Sequence, residues 1–302
     1  MNALSIGIDI GGSRLKAAIV AADGSLSHQI IEASRIAEPY PAVLHQLIDV
    51  VHRLRLLTTK PMESLGIGVA GLVSLDRRTI LAAPNCPGVV NTSLCDDLER
   101  ATGIACLMDN DANVMALGEG FAGAAKGCRH FAAVTLGTGI GGAVVINGEL
   151  LRGFTGGGAE LGHVCIERNG PRCGCGSRGC LEAFIGLKGI FRFTARRFPR
   201  LRGLGAAKLA ELAMAGDQEA STVFRYIGET LAIGLAGTIN IFNPEIVIVG
   251  GGVACAGEVL FEPLRQEVAR RAFPVYLEGL KIEPAQLGNW AGVVGAALLN
   301  RG

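Results

Sequence analysis

Residues 4–20 read LSIGIDIGGSRLKAAIV. The two apolar runs in this stretch are predicted β-strands, and the glycine turn at residues 11–13 joins them. Residues 130–146 read HFAAVTLGTGIGGAVVI and place a second turn of the same kind at residues 137–139. This internal repeat indicates two related sheets that face one another.

The rest of the chain alternates between predicted helices and strands. Helical periodicity covers residues 41–57 and 219–242, whereas residues 64–70 and 246–249 are predicted strands. Alternation of this kind is typical of α/β proteins with a mostly parallel or mixed sheet. The sequence therefore predicts such a sheet in each half of the chain.

The composition indicates a folded protein without an electrostatic signature for nucleic acid. Hydrophobic residues make up 49% of the 302 residues, charged residues make up 18%, and the net charge is +1. Such a chain can bury a large core, and it offers no basic face of the kind that binds DNA or RNA. The densest basic cluster is interpreted as a solvated helix face; it comprises Arg192, Arg196, Arg197, Arg200 and Arg202.

The sequence favours a cytoplasmic protein. The first residues do not resemble a signal peptide, and no run of about 18 apolar residues predicts a membrane span. Nine cysteines without a secretory signal favour reduced thiols. Five of them are predicted to be ordinary core residues: Cys86, Cys95, Cys106, Cys128 and Cys255.

A histidine and three cysteines form a candidate zinc site. His163, Cys173, Cys175 and Cys180 are spaced by ten, two and five residues in a segment bent by glycines. Four such ligands suit tetrahedral Zn²⁺, which would stabilise a segment with few apolar residues of its own. The alternatives are free thiols beside an unrelated histidine, or a zinc-ribbon nucleic-acid binder, which the near-neutral charge argues against.

The two glycine turns are candidate phosphate-binding sites. Backbone N–H groups can approach a phosphate chain closely where no Cβ intervenes. Neither turn is a P-loop, and either one alone could be a structural hairpin. A third glycine run at residues 250–252 follows a predicted buried strand. Asp9 supplies the carboxylate expected near a Mg²⁺ ion that bridges phosphates.

Taken together, these motifs resemble the ROK family (repressors, open reading frames and kinases) of the actin-like and hexokinase-like ATPase superfamily. The resemblance runs through the whole chain and is carried by DIGGSR at 9–14, NDAN at 110–113 with ALGE at 116–119, GTGIGG at 137–142, GAELGH at 158–163 with CGCGSRGCLE at 173–182, and VGGGV at 249–253. Ser13 stands where the family usually has threonine, which keeps the hydroxyl. Regulatory members carry an N-terminal helix-turn-helix, for which the first strand leaves no room, so a repressor is not expected.

The resemblance implies a two-lobed actin-like ATPase (ribonuclease H-like) fold, an α/β fold with duplicated mixed sheets and a central cleft. Residues 1–117 would form the N-terminal lobe together with a C-terminal helix at 290–302. Residues 118–289 would form the C-terminal lobe, which carries the zinc segment.

The resemblance also implies the binding residues. ATP with Mg²⁺ would contact Asp9, Gly11, Gly12, Ser13, Arg14, Gly137, Thr138, Gly139, Gly251 and Gly252. The hexose would contact Gly71, Asn110, Asp111, Glu160, His163 and Glu182, and structural Zn²⁺ would bind His163, Cys173, Cys175 and Cys180. Asn85 is a further possible sugar contact or a turn residue. Glu119 and His130 are interpreted as a helix-surface residue and a strand-end residue.

Asp111 is the candidate catalytic base. A sugar hydroxyl is a poor nucleophile, so a carboxylate must accept its proton during phosphoryl transfer. The residue types alone leave open whether Asp111 is a base or the N-cap of the following helix, and the family resemblance favours the base. Asp109 is a rival base, ranked below Asp111.

The predicted activity is ATP-dependent phosphorylation of a hexose, with glucose favoured. N-acetylmannosamine, N-acetylglucosamine, allose, mannose and fructose remain alternative acceptors, since the motif residues contact hydroxyls that these sugars share. A sugar-sensing regulator without turnover is the alternative from another class. The resemblance further implies a homodimer or homotetramer, with no nucleic-acid or membrane partner.

Overall fold

The computed structural model describes residues 4–83 and 86–300. Asn85, considered above as a sugar contact, lies outside the described residues. The chain divides into two compact units. Unit 1 comprises Met1–Gly127, Leu151–Gly158 and Gln286–Gly302, and unit 2 comprises Cys128–Leu150 and Ala159–Ala285.

The described chain contains strands and helices in both units. The strands are β1 Leu4–Ile10, β2 Arg14–Val20, β3 Leu26–Ala33, β4 Met62–Val69, β5 Leu72–Val73, β6 Ile80–Ala82, β7 Cys106–Asn110, β8 Phe131–Leu136, β9 Ile140–Ile146, β10 Glu149–Leu150, β11 Ile246–Gly250 and β12 Lys281–Pro284. The α-helices are α1 Tyr40–Leu56, α2 Leu94–Thr102, α3 Asp111–Ala122, α4 Leu181–Ile185, α5 Leu187–Arg197, α6 Ala206–Met214, α7 Gln218–Phe242, α8 Glu258–Arg271 and α9 Ala291–Ala297.

The unit boundaries differ from the lobe boundary expected at residue 117. That position lies inside α3, which belongs wholly to unit 1 because unit 1 continues to Gly127. The segment Leu151–Gly158 also belongs to unit 1, although the sequence assigned it to the C-terminal lobe. Gly156 and Gly157 of this segment pack against β5.

Each unit contains a five-stranded mixed sheet with the same pattern of strand directions. The order is β3-β2-β1-β4-β7 in unit 1 and β10-β9-β8-β11-β12 in unit 2. In both sheets the first three strands are antiparallel, and the last two continue parallel to the third. The duplicated mixed sheet predicted from the two glycine turns is therefore confirmed.

Helix α7 forms the centre of the core of unit 2. The side chain of Asp217 caps its N-terminus by accepting a hydrogen bond from the backbone N–H of Ala220 at 2.9 Å. The helix ends at Asn243, whose φ of 44° is left-handed. Between these ends, Phe224 packs with Phe261 of α8 in a fully buried cluster. Neither α7 nor any other helix in the described ranges is both long and apolar enough to cross a membrane.

Helix α9 lies in backbone contact with β1, β4 and α3. A Cβ on Gly7 of β1 would lie 1.9 Å from the carbonyl oxygen of Val293, and one on Gly66 of β4 would lie 1.8 Å from that of Ala296. Gly295 of α9 shows the same constraint, since its Cβ would lie 1.7 Å from the backbone oxygen of Val114 in α3. The apolar helix can be buried here only because glycine leaves room for it.

Two of the five cysteines predicted to be core residues are not buried. Cys86, Cys95 and Cys106 are buried in unit 1, as predicted. Cys128 is half-buried and is the first residue of unit 2, and Cys255 is exposed on a short 3₁₀ turn after β11. Apolar neighbours in sequence did not distinguish a surface turn from a core strand.

The α9 contact predicts opposite effects for two glycine substitutions. Gly66→Ala should destabilise the protein by about 1–3 kcal/mol or more, because the new methyl group would overlap a backbone oxygen that cannot rotate away. Gly237→Ala should be neutral or stabilising by up to about 1 kcal/mol, because Gly237 is an exposed position of α7 with open space around it.

Denaturant unfolding of the two purified variants beside the wild type measures both effects. Equal stability of the Gly66→Ala variant and the wild type would contradict the close packing of α9 on β4.

Candidate active site

The first glycine turn follows the buried strand β1 and is open to solvent. Gly12 is exposed, and a Cβ there would meet no atom within 4 Å. The turn is closed by a hydrogen bond from the Gly11 N–H to the Arg14 carbonyl at 2.9 Å. Ser13 and Arg14 are also exposed. A phosphate group could therefore approach the backbone of this turn.

Asp9 lies beside that turn, at the end of β1. Lys16 Nζ is 3.4 Å from Asp9 Oδ2. Burial raises the pKa of Asp9, and the Lys16 ammonium lowers it only in part. Gly292 of α9 packs closely against this carboxylate, since a Cβ there would lie 3.0 Å from Asp9 Cγ. A carboxylate beside an open glycine turn is a suitable ligand for the Mg²⁺ ion that a nucleotide carries.

Asn110, and not Asp111, is the N-cap of α3. Asn110 Oδ1 accepts hydrogen bonds from the N–H groups of Ala112 at 2.9 Å and Asn113 at 3.3 Å. Its Nδ2 donates to the carbonyl of Gly71 at 3.1 Å. The capping alternative for Asp111 is therefore wrong, because residue 110 has the extended conformation of a cap and residue 111 is the first helical residue.

Asp111 is half-buried at the N-terminus of α3. Its Oδ1 accepts a hydrogen bond from the Ala112 N–H at 2.9 Å. Asp111 is the first residue of the helix, next to the N-cap Asn110. An ionised carboxylate is the form that a general base requires.

Asp109 is held by internal contacts. Its Oδ1 accepts hydrogen bonds from the backbone N–H of Asn110 and from Nδ2 of Asn113, both at 2.8 Å. Its Oδ2 lies 2.7 Å from Nη1 of Arg152, an ion-pair distance without the geometry of a hydrogen bond. The Asp109 side chain is only 2% exposed. These contacts support ranking Asp109 below Asp111 as a base.

The second glycine turn, in unit 2, is bound by Glu182. Glu182 Oε2 accepts a hydrogen bond from the Ile140 N–H at 2.9 Å, and a Cβ on Gly139 would lie 2.4 Å from the same oxygen. The Leu187 N–H donates to the carbonyl of Thr138 at 3.2 Å. The predicted sugar ligand Glu182 therefore contacts the predicted phosphate turn.

The third glycine run lies next to this turn, because β8 and β11 are parallel neighbours that end at the same sheet edge. Gly251 has a φ of +86°, and a Cβ there would lie 2.2 Å from the carbonyl oxygen of Leu136, which directly precedes Gly137. Gly251 thus has a structural role of its own. Gly252 is exposed, with open space around it.

The four candidate zinc ligands meet in unit 2. All four ligand atoms lie within 4.8 Å of one another. His163 Nδ1 is 3.6 Å from Cys173 Sγ, and Cys175 Sγ is 3.7 Å from Cys180 Sγ. Tetrahedral zinc with Zn–S bonds of about 2.3 Å separates its sulfur ligands by about 3.8 Å, so this donor set fits zinc.

Glu160 and His163 lie on the segment that precedes the cysteines. Glu160 is exposed and directly precedes a 3₁₀ turn, Leu161–His163. Gly162 packs against β9, where a Cβ would lie 2.2 Å from the Ile140 carbonyl oxygen. Ile140 is therefore the point at which this segment and Glu182 both contact the strand that leaves the phosphate turn.

Glu119 was wrongly interpreted as a helix-surface residue. It is fully buried, and its carboxylate accepts hydrogen bonds from the N–H groups of Ala124 at 2.8 Å, Gln286 at 3.0 Å and Leu287 at 2.8 Å. Its position four residues after Met115, on the apolar face of α3, was the available signal. His130 does lie at a strand end, directly before β8.

The chain matches the ROK family over residues 5–302. A glucokinase of Thermotoga maritima is 37% identical over 97% of this chain and 95% of its own length. The crystal structure of a ROK family glucokinase from Streptomyces griseus, in complex with glucose and AMPPNP, has a TM-score of 0.88 and 33% identity over 99% of both chains. A xylose repressor of Bacillus subtilis is 29% identical over 96% of this chain and 75% of the repressor.

Asp9 makes stability depend on pH in a specific direction. A carboxyl whose pKa is raised by folding destabilises the folded state at a pH where it is ionised. Asp9→Asn should therefore raise the unfolding midpoint at about pH 8, and this gain should shrink as the pH falls through the raised pKa. Thermal unfolding of both proteins between about pH 8 and pH 4 measures the difference.

Glu245→Gln is the control of opposite sign. Hydrogen bonds from the backbone N–H groups of His130 and Arg129 lower the pKa of Glu245, so its ionised form stabilises the fold above the unfolded pKa. This variant should be less stable at about pH 8, and the loss should disappear as the pH falls. A gain for Asp9→Asn that is equal at every pH would show that ionisation of Asp9 is not its cause.

The donor set predicts one zinc ion per chain, measurable by elemental analysis of purified protein. Burial raises the pKa of the Cys173 thiol to about 12, and zinc binds cysteine as the thiolate, so zinc binding should release a proton from it. Cys175→Ala should lose zinc and unfold several degrees lower. Cys255→Ala removes an exposed thiol outside the cluster, and this variant should keep its zinc and its unfolding temperature. Metal-free wild-type protein with unchanged stability would contradict the structural role of zinc.

Proposed function

The chain belongs to the ROK family, and from this membership we propose that it transfers the γ-phosphoryl group of ATP to a hydroxyl of a hexose, with glucose as the preferred acceptor. Relatives named glucokinase support the proposal, since they are 32–37% identical over nearly the whole chain. The observation that carries it is the junction of β7 and α3: Asn110 caps the helix, and the carboxylate of the adjacent Asp111 accepts a hydrogen bond from the Ala112 N–H.

We propose that Asp111 accepts the proton of the attacking hydroxyl. Phosphoryl transfer needs alignment of the acceptor more than covalent help from the protein, so one positioned carboxylate suffices for the proton. Gly71, Asn110, Glu160, His163 and Glu182 are the proposed sugar contacts. Carboxylates, an amide and an imidazole can each form hydrogen bonds with sugar hydroxyls. A site of such groups rejects analogues that lack the hydroxyls, because its polar groups would then be left unpaired.

The nucleotide is proposed to bind the three glycine runs. Residues 11–14 and 137–139 would offer backbone N–H groups and the hydroxyls of Ser13 and Thr138 to phosphate oxygens, and Gly251 and Gly252 would face the adenosine. Mg²⁺ carried with ATP would neutralise phosphate charge when bound. Asp9 would interact with that ion, and Arg14 would add a second positive charge.

The proposed role of zinc is structural. Cys180 directly precedes α4, and Glu182 is the second residue of that helix. Fixing Cys180 therefore fixes the start of α4, and with it the Glu182 carboxylate that contacts Ile140. A homodimer or homotetramer and a cytoplasmic location stay predictions from the sequence.

A sugar-responsive regulator is the second candidate function, because xylose repressors match at 28–29% identity. This chain covers about three quarters of the length of those repressors. Turnover distinguishes the two functions, since a regulator would bind sugar without consuming ATP. Release of ADP from ATP and Mg²⁺, followed over glucose, mannose, fructose, allose and the two N-acetylhexosamines, tests both the reaction and the choice of glucose.

Replacing the proposed base should separate catalysis from binding. Asp111→Asn should lower kcat by about 10²–10⁴-fold, the usual contribution of a general base, while hexose still binds. Steady-state assays give kcat, and calorimetric titration of hexose gives the Kd.

Asp49→Asn is the control for this variant, because Asp49 is an exposed aspartate of α1 whose ion pair with Arg53 lies on the surface. The Asp49→Asn variant should keep the wild-type kcat and the wild-type Kd for hexose. Activity that survives in Asp111→Asn while hexose binding is lost would assign Asp111 to binding and refute its role as a base.

A further inference from the structure

We propose that Arg152 is a positioning residue for the hexose. Through its ion pair with Asp109, Arg152 holds the segment Leu151–Gly158 against the part of unit 1 that carries Gly71, Asn110 and Asp111. This inference rests on the proposed sugar kinase function, because Gly71, Asn110 and Asp111 are the proposed sugar-side residues of unit 1.

The first contact joins Arg152 to the strand end that precedes the proposed base. Arg152 Nη1 lies 2.7 Å from Asp109 Oδ2, and the two side chains are 26% and 2% exposed. The other oxygen of Asp109 accepts hydrogen bonds from the Asn110 N–H and the Asn113 side chain. One carboxylate therefore connects Arg152 to the backbone of the residue that caps α3.

The second contact lies at the other end of the segment. A Cβ on Gly156 would lie 2.4 Å from the carbonyl oxygen of Val73, and one on Gly157 would lie 2.7 Å from Leu72 Cδ1. The segment therefore packs directly on β5, which follows Gly71 in the chain. The Gly158 N–H donates to the carbonyl of Arg152 at 2.9 Å and closes the segment into a compact loop.

These contacts form a closed circuit within unit 1. Arg152 contacts Asp109, the next residue Asn110 donates to the Gly71 carbonyl, and β5 packs on the glycines that follow Arg152. Loss of the ion pair removes the contact of Arg152 with Asp109, the residue next to Asn110. Glu160, another proposed sugar contact, follows the segment by two residues.

A second cation lies near the pair. Burial and repulsion from Arg152 lower the pKa of Arg77, whereas attraction to Asp109 raises it. Arg77 Nη1 donates to the carbonyl of Leu299, so this guanidinium is already bound by another part of unit 1. Among the ion pairs of the described residues, Asp109 has Arg152 as its partner.

An ion pair as buried as this one is weak evidence for stability alone, because desolvation offsets much of its attraction. A role in holding two neighbouring segments in one arrangement accounts better for its place beside Asn110. A positioning role predicts a specific kinetic effect: affinity for the hexose should fall, and affinity for ATP should not.

Arg152→Met tests the proposal, because methionine keeps the apolar stem and removes the charge. The KM for the hexose should rise by about ten- to a hundredfold, the range that small misplacements cost, with the KM for ATP within about twofold. Arg152→Lys should restore most of the affinity, because a single nitrogen makes the contact. Arg78→Met is the matched control, since it removes an ion pair with Asp96 and Glu99 in the same unit and should leave both constants unchanged.

If Arg152→Met fails to fold because Asp109 is left buried without a partner, the charge-free pair Asp109→Asn with Arg152→Met replaces it. The expected rise in hexose KM is the same, because asparagine keeps an acceptor for Asn113 but not the ion pair. Equal increases in the KM for hexose and ATP, or no increase in either, would overturn the proposal.

Hydrogen–deuterium exchange gives a readout that needs no activity. Exchange in the peptide that covers residues 151–160 should accelerate in Arg152→Met and stay at the wild-type rate in Arg78→Met. Unchanged exchange in Arg152→Met would overturn the proposal even if the wild type phosphorylates sugar. An inactive wild type would refute the proposed function instead, and exchange would still test the contact.

Discussion

Contact between the backbone of α9 and the backbones of β1, β4 and α3 is the constraint on which unit 1 depends. Gly7, Gly66 and Gly295 leave no space for a Cβ at these contacts. The same helix places Gly292 against Asp9, and its partner α3 begins at Asp111. The C-terminal helix thereby fixes both the carboxylate proposed to meet Mg²⁺ and the carboxylate proposed to accept a proton.

Much of the fold could be predicted because its signals are local. The strand–glycine turn–strand pattern recurs within each half of the chain, and both sheets repeat one order and one set of directions. The donor set of the candidate zinc site was also predictable, since three of its four ligands lie within eight consecutive residues, Cys173–Cys180. Fold and family follow from these patterns without knowledge of any distant contact.

The remaining features depend on contacts between residues far apart in the sequence. The Glu119 carboxylate accepts hydrogen bonds from the N–H groups of Gln286 and Leu287. These partners are far away in the sequence, so the residues around Glu119 do not predict them. The ion pair of Asp109 with Arg152 also joins residues far apart in the sequence and was not predicted. The sequence offered Asp111 as a possible N-cap of α3, but the cap is Asn110, one residue earlier, and only the backbone conformation at that junction shows this.

The Glu119 carboxylate has a consequence for how the gene could be rearranged. Its Oε2 accepts hydrogen bonds from both Ala124, shortly before the chain leaves unit 1, and Gln286, where it returns. The exit and the last re-entry are therefore neighbours in space, and the polypeptide between them returns to unit 1 at Leu151–Gly158. Recombination between homologous genes could exchange the polypeptide between Ala124 and Gln286 through two crossovers, provided that the incoming copy brings its own version of Leu151–Gly158.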